Sequence, residues 1–211
     1  MQEHKAETVY RYHDALYINL TNRCPNACVF CIKAKWGMKF RGHNLDLSGN
    51  EPSALEVLGR IAEMESAKPA KEIVFCGYGE PTMRADVLVE VARGLKKTGH
   101  KIRLNTVGLG SLAAGKDIPS MLRGLVDSVN ISLNSPDPAQ WGKLVRPLPQ
   151  YREKGYAAVL DFIRSCSKNI PDTVVTVVDL PEVDTHAASV LASELGAQLR
   201  VRPYLDEYEK A

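Results

Sequence analysis

Four short segments of this chain alternate apolar and polar residues one by one, and that pattern restricts the fold more than any other feature. In residues 16–21, Leu16, Ile18 and Leu20 oppose Tyr17, Asn19 and Thr21; in residues 101–106, Ile102 and Leu104 oppose Arg103 and Asn105. Residues 128–134 set Val129, Ile131 and Leu133 against Asn130, Ser132 and Asn134, and residues 198–204 set Leu199 and Val201 against Arg200, Arg202 and Tyr204. A period of two is that of a strand. Two further extended runs, 72–76 and 173–178, bring the count to six. Helical patterns fall between them at 52–66, 85–98, 155–167 and 184–195, with a short piece at 120–124. Gly99, Gly155 and Gly196 stand where helices stop or start. Strand and helix in regular alternation read as βα units, hence an α/β fold with a mostly parallel sheet.

Strands of a parallel sheet covered on both faces are nearly continuous apolar runs, and these are not. If the apolar faces meet outer helices, the polar faces line the inside of a curved sheet. Buried Asn, Ser and Arg there require water or a polar ligand. A sheet with one face open to solvent has the same pattern. The lined cavity is favoured because a cysteine-bearing loop comes directly after the first strand, and ligands of α/β folds gather at strand ends. A chain of 211 residues is long enough for one domain, residues 1–211, with its own core. Its formal charge of +2 carries no argument for nucleic acid. The start, Met1-Gln-Glu-His-Lys-Ala-Glu7, lacks the apolar segment of a signal peptide, and no later run has the length of a membrane span. The expectation is a cytoplasmic protein with no membrane partner.

Three of the five cysteines, Cys24, Cys28 and Cys31, fall in that one loop. An odd, clustered set fits metal binding in a reducing compartment better than a disulfide framework, which leaves Cys76 and Cys166 as buried free thiols. Closed structural sites take four protein ligands, whereas three leave a position free for chemistry. An incomplete zinc knuckle, with His13 or His43 as fourth ligand, uses the same residues, and thiolates alone do not separate zinc from an iron–sulfur cluster.

Cys-x3-Cys-x2-Cys after the first strand, with Cys76-Gly-Tyr-Gly-Glu-Pro81 after the second, resembles the radical S-adenosylmethionine (SAM) superfamily. The resemblance implies a partial (β/α)6 TIM-like barrel in which Cys24, Cys28 and Cys31 hold a [4Fe–4S] cluster. The amino and carboxylate groups of SAM would chelate the fourth iron. It implies reductive cleavage of SAM to a 5′-deoxyadenosyl radical, hydrogen abstraction from a substrate, and an electron donor such as flavodoxin or ferredoxin. Cofactor and SAM carry the hard step, and the protein places them. Phe30 matches an aromatic position used against adenine, though it can equally pin the loop. Gly77, Tyr78, Gly79, Glu80 and Pro81 resemble a Gly-Gly-Glu-Pro motif whose carbonyls receive the SAM amino group; glycine permits the angles and close approach required there. Asn105, Ser132 and Asn134 match positions that bond SAM, although Asn134-Ser-Pro also suits a turn, and Val177, ahead of Leu180, matches a backbone contact to adenine.

Arg146 and Arg202 are candidates for the SAM carboxylate or an acidic substrate, since guanidinium forks match carboxylates; surface salt bridging is the alternative. Tyr17, Arg103 and Tyr204 are aimed by strand position at the same cavity. The basic, aromatic stretch 33–43 reads either as a contact to a phosphate-bearing or nucleic-acid substrate or as a solvated lid. Ala15-Leu-Tyr-Ile-Asn-Leu-Thr-Asn-Arg-Cys-Pro-Asn26 and Ser132-Leu-Asn-Ser-Pro-Asp137, followed by Arg146-Pro147, are similar to TatD-nuclease-associated radical SAM proteins, which implies a functional link to a TatD-type nuclease. The substrate itself stays unknown, with nucleotide or nucleic-acid metabolism suggested by that link. A cluster- or zinc-holding interaction module without radical chemistry is the rival reading.

Overall fold

The computed structural model describes residues 6–204, so the first five residues of the amino-terminal segment lie outside the described residues. Strands β1 (Val9–Tyr12) and β2 (Ala15–Ile18) form an antiparallel hairpin, Val9 opposite Ile18. After the cysteine loop come α1 (Ile32–Trp36), a two-stranded ribbon of β3 (Lys39–Phe40) and β4 (His43–Asn44), and α2 (Ala54–Ala67). Regular alternation succeeds them: β5 (Glu72–Phe75), α3 (Ala85–Lys97), β6 (Ile102–Thr106), short α4 (Gly110–Ala114) and α5 (Ile118–Met121), then β7 (Ser128–Ser132). The chain continues through α6 (Pro138–Val145), α7 (Gly155–Asn169), β8 (Asp172–Val178), α8 (Thr185–Glu194) and β9 (Gln198–Arg202).

The main sheet has the order β1-β2-β5-β6-β7-β8-β9, and every pair after the first is parallel. The six expected strands are present in the expected order. β1 and β9 are the edges, so the sheet is a partial barrel among the described residues. β1 escaped the sequence reading because its turn to β2 is His13-Asp14, with His13 at φ 52°, and lacks the Asn-Gly or Asp-Gly signature of a hairpin. Helix α6 was missed as well, although Asp137 accepts from Gln140 N and Pro138 opens the helix, a sound start signal.

The apolar strand faces do turn outward onto helices. Ile18, Phe75, Leu104, Ile131 and Val175 are fully buried in one cluster with Val57 and Ile61 of α2, Leu88 and Val91 of α3, and Phe162 and Ile163 of α7. Each such side chain contributes about 1.5–3 kcal/mol by leaving water. Capping fixes where the helices enter: Ser53 and Glu56 form a capping box on α2, and Asp184 accepts from Ala187 N on α8. No helix among the described residues is long and apolar enough to cross a membrane.

The inner face divides in two. On the β1–β2–β5 side it is filled, because Tyr10, Leu45 and Tyr78 make a separate apolar cluster against which Tyr17, Ile32, Met38 and Phe40 pack. The rings of Tyr10 and Tyr17 lie 5.5 Å apart, and those of Tyr10 and Phe40 lie 6.0 Å apart. The stretch 33–43 is therefore not an unanchored lid: its aromatic residues seal this half of the barrel, and Tyr78 Oη donates to Lys39 O at 2.6 Å. Its basic residues Lys35, Lys39 and Arg41 stay exposed.

Candidate active site

The cysteine loop is gripped from both sides by backbone. Ala27 N donates to Val145 O and Arg146 O at 3.1 Å, Val29 N to Leu144 O at 2.9 Å, and Leu148 N to Pro25 O at 2.9 Å, so the carboxyl end of α6 forms one jaw. The other jaw is Glu51, which takes Arg23 through Nε at 2.9 Å and Nη2 at 3.0 Å and also accepts from Thr21 Oγ1. Glu80 N reaches over to Arg23 O at 2.8 Å, tying the loop to the glycine motif.

The three cysteines are unpaired and half-buried. Burial pushes the thiols of Cys24 and Cys28 up to about 12, and the negative charges of Glu80 and of neighbouring cysteines add to the effect. The sulfurs are thus near one another, yet among the described residues no three His, Cys, Asp or Glu side chains converge on a point where one metal ion could sit. Neither proposed fourth ligand is at hand. His13 caps the hairpin at the opposite end of β2, and His43 Nδ1 pairs with Glu7 Oε2 at 3.0 Å.

Gly77 and Gly79 are glycines for closeness, not for unusual angles, since neither has positive φ. A Cβ on Gly77 would stand 2.2 Å from Asn19 Oδ1, and one on Gly79 would stand 2.1 Å from Thr21 O and 2.7 Å from Arg23 O. The motif backbone is pressed against the strand that feeds the cysteine loop. Glu80 secures the arrangement: its carboxylate accepts from Thr82 N at 3.0 Å, Thr82 Oγ1 at 2.5 Å, Thr106 Oγ1 at 2.7 Å and Val107 N at 2.7 Å. Burial raises its pKa and the four donors oppose that. Pro81 opens the short 3₁₀ turn Pro81–Arg84. Tyr78 is turned away from the cavity into the aromatic seal.

On the β6–β9 side a cavity of about 170 Å³ opens, walled by Gly79, Glu80, Asn105, Ser132 and Arg202 among the predicted site residues. Asn130, Thr176, Arg200 and Cys76 line it too, and they were not assigned a site role from sequence. Arg200 was legible in the alternation of β9; Thr176 was hidden in the apolar run of β8. Cys76 is only half-buried, unlike Cys166, which lies in the core. Asn134, at φ 65°, accepts from Arg202 Nη2 at 3.3 Å, and its N–H crosses to Thr176 O, which ends β7 at Ser132. Arg103 lies below the cavity, paired with Glu72 at 2.8 Å and bonded to Asn105 Oδ1 at 3.1 Å.

Other predicted residues fall elsewhere. Val177 points outward into a small core with Leu144, Val183 and Ala188, so only its backbone faces the cavity end of β8, and Phe30 packs on that same core. Tyr17 sits in the aromatic seal, and Tyr204 is exposed past β9. Arg146 is exposed in a left-handed conformation at the end of α6, φ 45°, and it is its carbonyl that meets the cysteine loop.

Three soft donors in a clamped loop and a glycine cradle with no room for a Cβ fit a thiolate-bound cluster carrying a polar ligand. Known proteins resemble the chain in sequence and in fold. The family model described as Radical SAM superfamily matches residues 18–191. GTP 3′,8-cyclase of Listeria monocytogenes is 30% identical over 126 residues, 59% of this chain and 34% of that protein. The chain spans about a fifth to two-fifths of the curated relatives it matches. Among solved structures, a radical SAM methyltransferase from Sphaerobacter thermophilus superimposes with a TM-score of 0.61 at 19% identity, over 92% of this chain and 57% of that one. Streptococcus suis SuiB bound to S-adenosylmethionine gives 0.66 at 14% identity, over 90% and 40%. These likenesses establish the fold.

Proposed function

Because the chain belongs to the radical SAM superfamily, we propose that it is an enzyme that holds a [4Fe–4S] cluster on Cys24, Cys28 and Cys31 and SAM across the adjoining cavity. The single observation that carries this reading is the contact between the two motifs, with the Gly79 backbone packed on Thr21 and Arg23 at the head of the cysteine loop. When bound, cluster and SAM supply reductive cleavage of a sulfonium carbon–sulfur bond and a 5′-deoxyadenosyl radical that abstracts hydrogen from substrate.

The chain's own residues would position and shield. Carbonyls of the 77–79 loop accept from an ammonium group, and Asn105 and Ser132 offer an amide and a hydroxyl to a nucleoside. The aromatic seal keeps water from one flank, which limits quenching of a reactive species. The electron would come from a donor of the flavodoxin or ferredoxin kind. A relative named for GTP supports a nucleotide-related substrate.

Electron paramagnetic resonance tests the cofactor assignment. After anaerobic reconstitution and reduction, the protein should give a cluster signal that changes when SAM is added. Cys28→Ala should lack the signal, and a wild-type signal indifferent to saturating SAM would contradict the proposal.

A further inference from the structure

We propose that the cavity receives an oxyanion, the phosphate or carboxylate group of a small-molecule substrate, on Arg200. This rests on the proposed function, with substrate reaching the β8–β9 side of the cavity that SAM enters from the Gly79 side. Ser132, Thr176 and Arg200 stand side by side on β7, β8 and β9, so hydroxyl, hydroxyl and guanidinium form one row on the inner face. All three line the cavity. With its amide oxygen turned inward, Asn130 accepts from Arg200 Nη2 at 3.2 Å and from Arg103 Nη1 at 3.2 Å, which fixes the guanidinium and leaves most of its donors for a ligand.

The Arg200 charge is not neutralised by an acidic group of the wall. Glu80 is the acidic residue on the wall, and four protein donors already occupy its carboxylate. Arg103 is committed to Glu72. Among the described residues, Arg200 forms no ion pair. A charged residue on an edge strand can simply be solvated, but this one shares its row with hydroxyls that face a concave wall. A planar fork flanked by hydroxyl and amide donors matches a multi-oxygen anion.

The test uses inorganic phosphate and succinate as probes, titrated into reconstituted protein by calorimetry, with SAM affinity measured on the same samples. Arg200→Gln should weaken binding of the preferred anion at least tenfold, and Arg200→Lys should weaken it less, while SAM affinity shifts less than twofold. Arg164→Gln, on an exposed helix face, should bind the anion as wild type does. The probe that binds more tightly assigns the group as phosphate or carboxylate. Equal anion binding by wild type and Arg200→Gln would overturn the proposal, as would binding of neither probe. An equal loss of SAM affinity would also overturn it, by giving Arg200 to the SAM carboxylate. Anion binding is read without SAM turnover, so a failure of the radical chemistry would show separately.

Discussion

One hydrogen atom on Gly79 decides whether the two motifs can touch. A methyl group there meets backbone oxygen at 2.1 Å, and backbone cannot step aside as a flexible side chain would. Gly79→Ala should therefore cost about 1–3 kcal/mol of stability and lower iron content after reconstitution. Thermal unfolding and iron analysis measure both, and a variant with unchanged melting and iron would contradict the packing argument. Sequence reasoning gave Gly77 and Gly79 both unusual angles and close approach; the approach is present and the angles are ordinary. It offered both Arg146 and Arg202 to a carboxylate and favoured Arg202, whose strand neighbours are apolar. The structure separates them: Arg202 is on the inner face of a strand, and Arg146 closes a helix with its side chain in solvent. A local motif contains nothing about which end of an element a residue will occupy.

At the scale of elements, α6 does more for the site than its sequence advertised. It reads weakly because it is short and sits between Asn134-Ser-Pro and Leu-Pro segments that resemble loops, yet Trp141 and Val145 bury it and its last carbonyls hold residues 27 and 29. Asp137→Ala removes its cap and should cost about 1 kcal/mol, with faster loss of cluster iron to a chelator as the jaw loosens. Unchanged chelation kinetics would detach α6 from the cluster loop. Gly59, by contrast, is an exposed glycine inside α2 with nothing within 4 Å of a built Cβ. Gly59→Ala should raise stability by about 0.5–1 kcal/mol and leave iron retention alone, which makes it the matched control for Gly79→Ala.

Across the whole molecule, parallel order, helix placement and outward apolar faces were legible because a two-residue period and a helical period are each written locally. The division of the inner face was not. Tyr17 and Asn19 alternate as Asn105 and Asn130 do, but β1, which the sequence did not mark as a strand, and the β3–β4 ribbon deliver Tyr10 and Phe40 onto the first half and leave the second half open. The proposed function depends on that asymmetry: cysteine loop and glycine loop meet at the strand ends, the aromatic half would exclude water, and the polar half offers room and positive charge. The direct measurement of this account is 5′-deoxyadenosine formed from SAM by the anaerobically reconstituted, dithionite-reduced protein. Wild type should produce it and Cys28→Ala should not; no product from wild type carrying an intact cluster and bound SAM would contradict the account.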